Sequence, residues 1–205
     1  MTVDIINLFY LIAASLFILG LKGLSHPRTA VRGNLMGAVG MLVAIVATLI
    51  GQGIANWELI LAGLAAGSII GAVLALRIQM TAMPQLVGLY NGFGGIASVL
   101  VAGAVLYQTL AMVSSAEAAS AFGLQEIIAT AASALIGAVT FFGSLIAFGK
   151  LQGIVTEKPV RYKAEQVIKI LFALLSVAAA VMVVIEPANT LYFWALAGVA
   201  GVLGI

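Results

Sequence analysis

Seven long apolar stretches follow one another along this 205-residue chain, and its nine basic and seven acidic residues fall between them or at their edges. A helix that crosses a bilayer needs about 20 predominantly apolar residues, because its backbone must pair internally once water is gone. On that basis spans are expected over residues 4–22, 34–52, 57–76, 84–108, 124–149, 167–185 and 190–205. The fold class that follows is all-α, a polytopic membrane helix bundle of about seven helices. No gap exceeds about 20 residues, so residues 1–205 read as one transmembrane domain with no soluble domain. The second and third spans lie closest together and are expected to form a tight hairpin. The first stretch has Asp4 and no basic residue before it, and no small-residue cleavage site after it. It reads as a retained span rather than a signal peptide. The last stretch, ALAGVAGVLGI, reaches Ile205 without a closing charge, and the chain is expected to continue beyond it.

Composition narrows the classes further. Only 8% of the residues are charged, against roughly 25% in soluble domains. That excludes a soluble enzyme, a nucleic-acid binder and a disordered chain. With no cysteine and His26 as the one histidine, a disulfide, an iron–sulfur cluster and a thiolate or histidine metal site are excluded. The 23 glycines suit close helix packing in lipid.

The charges segregate. Lys22, Arg28 and Arg32 lie in the first loop, Arg77 in the third, and Lys150, Lys158, Arg161, Lys163 and Lys169 in or beside the fifth. All of them fall on one side. Asp4, Glu58, Glu117, Glu126 and Glu186 fall on the other, with Glu157 and Glu165 sharing the basic side. Under the positive-inside rule the odd loops are cytoplasmic and the N-terminus is outside. The basic loops also suit a docked cytoplasmic domain or anionic headgroups.

No ionisable group lies well inside a span, so polar chemistry there falls to amides and hydroxyls. In the fourth span, MPQLVGLYNGFGGIASVLVAG, the residues Gly88, Asn91, Gly95, Ser98 and Ala102 recur on one helix face, with Leu86, Leu89, Phe93 and Leu100 largely elsewhere. Gly88 and Gly92 form a GxxxG pair, and with Gly94 and Gly95 they favour bending or movement. In the fifth span Ser133, Gly137, Thr140 and Ser144 share a face. At about 1.5 Å per residue, Asn91 lies roughly 10 Å in from Pro84, and Ser144 and Thr140 roughly 8 and 14 Å in from Gly149. Antiparallel spans would set Asn91 level with Thr140 and Ser144, bring Ser98 to Ser133 higher up, and leave Glu126 at the outer mouth. A hydrated path lined by these groups is one reading. The other is packing, the commoner role for a single hydroxyl in a span. Asn91 weighs more than the hydroxyls, since an amide in hydrocarbon needs partners at both ends. Gly63, Gly67 and Gly71, with Ser68, read as a packing ridge. No strand-linked GxGxxG, Walker motif or nucleophile elbow is present, so nothing here is expected to bind a nucleotide.

Three segments carry a resemblance: SHPRTAVRGN after the first span, MPQLVGLYNGFGGIASVLVAG in the fourth, and GAVTFFGSLIAFGKLQG closing the fifth. Together they resemble the β subunit of proton-translocating NAD(P) transhydrogenases, over essentially the whole chain. The resemblance implies an enzyme that passes a hydride from NADH to NADP⁺, coupled to inward proton movement across the cell inner membrane. It implies NAD(H) on an α subunit and NADP(H) on a Rossmann-like domain after the β subunit's last span, with no cofactor in this segment. The implied partners are the α subunit with its membrane helices, the chain's own NADP(H) domain at the cytoplasmic loops, membrane lipid, and a second complete unit in a dimer. By the same resemblance Asn91 stands where many relatives carry a histidine implicated in proton transfer. Ser144, with Gly137 and Gly143 around it, matches the fifth-span segment of that path. Asn91 cannot titrate, so it would orient water while a partner helix or a later span titrates. The residues alone leave open a small-solute transporter or channel without redox coupling, and an inert assembly or anchor subunit.

The absence of cysteine makes the sidedness directly testable. Ser25→Cys and Thr156→Cys are expected to react with an impermeant maleimide only from the cytoplasmic side, and Asn189→Cys only from the opposite side. Labelling of Asn189→Cys from the cytoplasm overturns the topology.

Overall fold

The computed structural model describes residues 3–51, 57–113, 122–156 and 164–205. The described residues form seven α-helices and one 3-10 turn, with no strand among them. The helices are α1 (Val3–Leu24), α2 (Ala30–Gly51), α3 (Trp57–Arg77), α4 (Met83–Met112), α5 (Leu124–Leu151), α6 (Glu165–Ile185) and α7 (Thr190–Gly204), and the turn is Met80–Ala82. Six have the length and apolarity to cross a membrane, and α7 is a shorter apolar helix. This is the helical membrane bundle expected from the sequence. Several helices outrun their apolar stretches, α2 starting at Ala30 and α4 continuing to Met112. Polar side chains near a span end reach the headgroups while the backbone keeps its internal bonds.

Local chemistry sets the ends. Pro84 sits in the first turn of α4, where its missing N–H costs nothing. Asn189 caps α7 by accepting the Leu191 N–H on its side-chain oxygen at 3.2 Å. Beyond α5 the chain turns at Gly153, whose φ of +70° favours glycine. The Ile154 and Val155 N–H groups then return to the Gly149 carbonyl, one of those the helix end leaves open.

The chain divides into two compact units, residues 1–72 and 73–205. In the first, α1 and α2 pair through glycine. A Cβ placed on Gly33 would lie 2.6 Å from the Gly20 carbonyl oxygen, and one on Gly23 would lie 2.8 Å from the Gly33 Cα. Only residues without side chains permit that approach. The turn between the helices is tied by Ser25 Oγ donating to the Lys22 carbonyl and Thr29 Oγ1 to that of Gly23, each at 2.7 Å. At the other end Tyr10 Oη and Thr48 Oγ1 meet at 2.9 Å. The tight hairpin expected of the second and third spans is not seen among the described residues. No α3 residue is buried, and a Cβ on Gly63 or Gly67 would meet nothing within 4 Å. The α2 glycines that would match the α3 ridge, Gly33 and Gly40, are already taken by α1.

In the second unit α5 packs against α4, α6 and α7. Its apolar cluster joins Val99, Ala102 and Leu106 of α4, Ile127, Ala131, Ala134 and Ala138 of α5, Val183 of α6, and Phe193, Leu196 and Ala200 of α7. The far half of α5 is held to α7 by close backbone contact, a Cβ on Gly143 lying 3.0 Å from the Gly204 carbonyl oxygen. Trp194 Nε1 donates to Tyr107 Oη at 2.9 Å and joins α7 to α4.

Gly33→Ala is expected to destabilise the first unit by about 1–3 kcal/mol through overpacking. Gly37→Ala, where a Cβ meets nothing within 4 Å, is expected to be neutral or stabilising through helix propensity. Thermal unfolding of the two variants in detergent, followed by circular dichroism, separates them.

Candidate functional site

The site is built on the seam between α4 and α5. Gly95 and Gly137 stand back to back, a Cβ on either lying 2.6 Å from the other's carbonyl oxygen. That contact brings the backbones together and sets the register of what lies on either side. Toward the start of α4, Asn91 Nδ2 donates to Ser144 Oγ at 2.9 Å. Gly92 makes room for this pair, its Cβ position lying 3.3 Å from the Ser144 Cβ. Gly88 is looser, at 3.9 Å from the Ser144 carbonyl oxygen. Of the GxxxG pair, only Gly92 is therefore at a tight contact, and the closest approach belongs to Gly95. Gly143 faces α7 rather than α4. Leu86 is buried, whereas Phe93 and Leu100 are exposed.

Beside the seam runs an open groove of about 580 Å³. Asn91, Ser98, Ser133 and Thr140 all line it, together with Gly95 and Gly137. Ser144 lies behind it, 8% exposed and bonded to Asn91. The levels differ in detail from those the spacing suggests. Asn91 stands opposite Ser144, while Thr140 stands against Gly95 and Ser98 against Gly137, at 3.1 Å from the respective Cβ positions. Ser98 and Ser133 share the groove without bonding each other, and Glu126 is not part of its lining. Sequence reasoning missed Tyr90, Gly94 and Ile136, which also line it. Tyr90 and Gly94 flank Asn91 and Gly95 in sequence, a signal too weak to separate them from the other neighbours.

Several hydroxyls of the spans are satisfied by their own helix. Ser15, Thr48, Thr130 and Ser176 donate back to the carbonyls of Leu11, Ala44, Glu126 and Phe172, each four residues earlier, at 2.8–2.9 Å. Ser98, Ser133 and Thr140 make no hydrogen bond to any described residue. Each therefore offers a donor and two lone pairs to the groove. Asn91 likewise keeps its Oδ1 as an acceptor while Nδ2 is bonded. Among the described residues no group of three His, Cys, Asp or Glu is arranged to hold a metal.

A second polar tie crosses the seam nearer the ends of the helices. Gln85 Nε2 donates to the Leu151 carbonyl and Gln152 Nε2 to Gln85 Oε1, both at 2.7 Å. Gln85 thus satisfies a carbonyl at the end of α5, where the helix has no further turn to bond it. Sequence reasoning missed this pair. The available signal was the spacing of seven from Gln85 to Gly92 and Val99, which puts all three on the face toward α5.

A profile of the family described as NAD(P) transhydrogenase beta subunit matches residues 6–205. The chain belongs to that family. Two proteins described as NAD(P) transhydrogenase subunit beta, both from Rhodospirillum rubrum, are 46% identical to it over 154 residues, 75% of this chain and 32% of theirs. The chain thus spans about a third of the length of the curated relatives it matches. The resemblance drawn from the three segments is borne out, and the seam and groove belong to a membrane-embedded part of a β subunit.

Gly95→Ala must push α4 and α5 apart at a backbone contact and is expected to destabilise by about 1–3 kcal/mol. Gly94→Ala, with nothing within 4 Å of its Cβ, is expected to be near neutral. Equal unfolding temperatures for the two variants in detergent overturn the register described for the seam.

Proposed function

We propose that the chain forms part of the proton-translocating membrane domain of an NAD(P) transhydrogenase, conducting protons inward as the complete enzyme passes a hydride from NADH to NADP⁺. Family membership supports the general reading. The observation that carries the site is the Asn91–Ser144 bond across the seam, beside a groove that Asn91, Ser98, Ser133 and Thr140 line together. Ser98, Ser133 and Thr140 share this groove, whereas Ser15, Thr48, Thr130 and Ser176 bond their own helix.

In this reading the groove holds water, and the three hydroxyls with Asn91 orient it. Asn91 accepts on Oδ1 from a water while Ser144 fixes the amide through Nδ2. Asn91 relays order and not charge, since an amide does not titrate. The group that takes up and releases the proton comes from a helix of the α subunit or from a later part of the β subunit. NAD(H) and NADP(H) are assigned to the other domains of the complete enzyme, and no step here is routed through them. The segregation of the basic loops supports a topology in which the ends of α4 and α5 that carry Gln85 and Gln152 face the cytoplasm, where the NADP(H) domain would dock. The complete enzyme is a dimer of such units.

Asn91→Leu and Ser144→Ala, each made in the complete enzyme reconstituted in vesicles, are expected to lower proton-linked turnover about tenfold, the cost of one buried hydrogen bond and the water it orders. Hydride exchange that needs no proton movement is expected to be unchanged. Normal proton pumping in both variants overturns the assignment of the path.

A further inference from the structure

The seam between α4 and α5 is held differently on its two sides. On one side of the Gly95–Gly137 contact it is joined by apolar side chains, with Val99, Ala102 and Leu106 set against Ile127, Ala131 and Ala134 in one cluster. On the other side that cluster ends. There three hydrogen bonds cross the seam, Asn91 to Ser144, Gln85 to the Leu151 carbonyl and Gln152 to Gln85, beside the contact of Phe141 with Gly92. Leu86 is the one buried apolar side chain of α4 before Gly92, and it lies outside the cluster. The two sides are therefore unequal in what must be broken to part them. An apolar contact is lost only by exposing its surface, whereas an amide that leaves one partner takes up water at small net cost.

The helices are unequal as well. The end of α5 is fixed by its own packing on α7, through Gly143 against Gly204 and Phe142 against Gly201. The start of α4 packs chiefly on α5 and the 3-10 turn Met80–Ala82. This stretch also carries Gly88, Gly92, Gly94 and Gly95 within eight residues. Glycine is the poorest helix former after proline, and a Cβ on Gly94 would touch nothing within 4 Å.

We propose that the first part of α4, Met83–Gly94, is a gate that swings from α5 about Gly94 and Gly95, and that Gln85 with Gln152 is its latch. With the latch closed, two amide ties in series, about 9 Å apart along α4, hold its first part against α5 at the end of the seam. With it open, Gln85 releases the α5 carbonyl, Asn91 moves from Ser144, and the groove opens to the side where the basic loops lie. The latch lies at the membrane surface, about one and a half turns from the groove, where a domain docked on those loops reaches it without entering the bilayer. The inference rests on the reading of the groove as a proton path, and it adds to that reading the element that decides which side the path opens to.

The test uses the complete enzyme in vesicles, with Gln85→Cys and Gln152→Cys introduced together. Before bridging, loss of the latch is expected to raise passive proton leak about tenfold, the change in population that follows from removing hydrogen bonds that favour one state. Bridging the two thiols with a short, reducible bifunctional thiosulfonate is expected to abolish both the leak and proton-linked turnover, and reductant is expected to restore them. Hydride exchange that needs no proton movement reports that the protein is still folded throughout. A bridged enzyme that turns over at the unbridged rate overturns the gate, and so does an unbridged pair that leaks no more than the parent. The Asn91→Leu variant, assayed beside them, separates failure of the gate from failure of the path. Lost pumping in Asn91→Leu with normal turnover in the bridged enzyme removes the gate and leaves the path standing.

Discussion

The second unit depends on one contact between two residues that have no side chains. Gly95 and Gly137 bring the α4 and α5 backbones so close that a single added carbon would lie 2.6 Å from the opposing carbonyl oxygen. In lipid there is no hydrophobic force to drive two apolar helices together, and close packing carries much of the association. A glycine contact therefore sets register as well as proximity, because any slip brings a side chain into the gap. The Asn91–Ser144 pairing follows from this register. So does the side-by-side placement of Ser98, Ser133 and Thr140 on a groove that neither helix forms alone.

Whether a hydroxyl in a span is glue or equipment is decided by where its proton goes. Those that return to their own helix are satisfied locally and present a nearly apolar exterior. The three beside the groove leave their hydrogen-bonding capacity facing a space large enough for water. The difference has no counterpart in composition, since serine and threonine occur in both groups. It arises from what stands opposite each one.

The same seam joins a fixed half to a yielding half. Apolar side chains and aromatic ties bind α4, α5 and α7 beyond the glycine contact, while amides bridge the part before it. Amides suit a reversible closure, because water replaces the partner when it leaves.

Much of the fold was legible in the sequence because a bilayer tolerates few solutions. Backbone groups must be paired inside each segment, so long apolar stretches become helices, and charges collect in the gaps between them. The helical period then placed Gly88, Asn91, Gly95 and Ser98 on one face and Ser133, Gly137, Thr140 and Ser144 on another, and two of those residues now touch across 2.9 Å. The period says which residues share a face. It does not say which helix that face meets, or at what height. Only the tertiary structure decided that α2 pairs with α1 and leaves open space beside Gly63 and Gly67 of α3, that Gly143 serves α7 and Gly95 serves α5, and that Gln85 reaches the end of α5. Each of these is a relation between atoms far apart in the chain, fixed by steric fit at one height along two helices, and a pattern read along a single helix does not contain it.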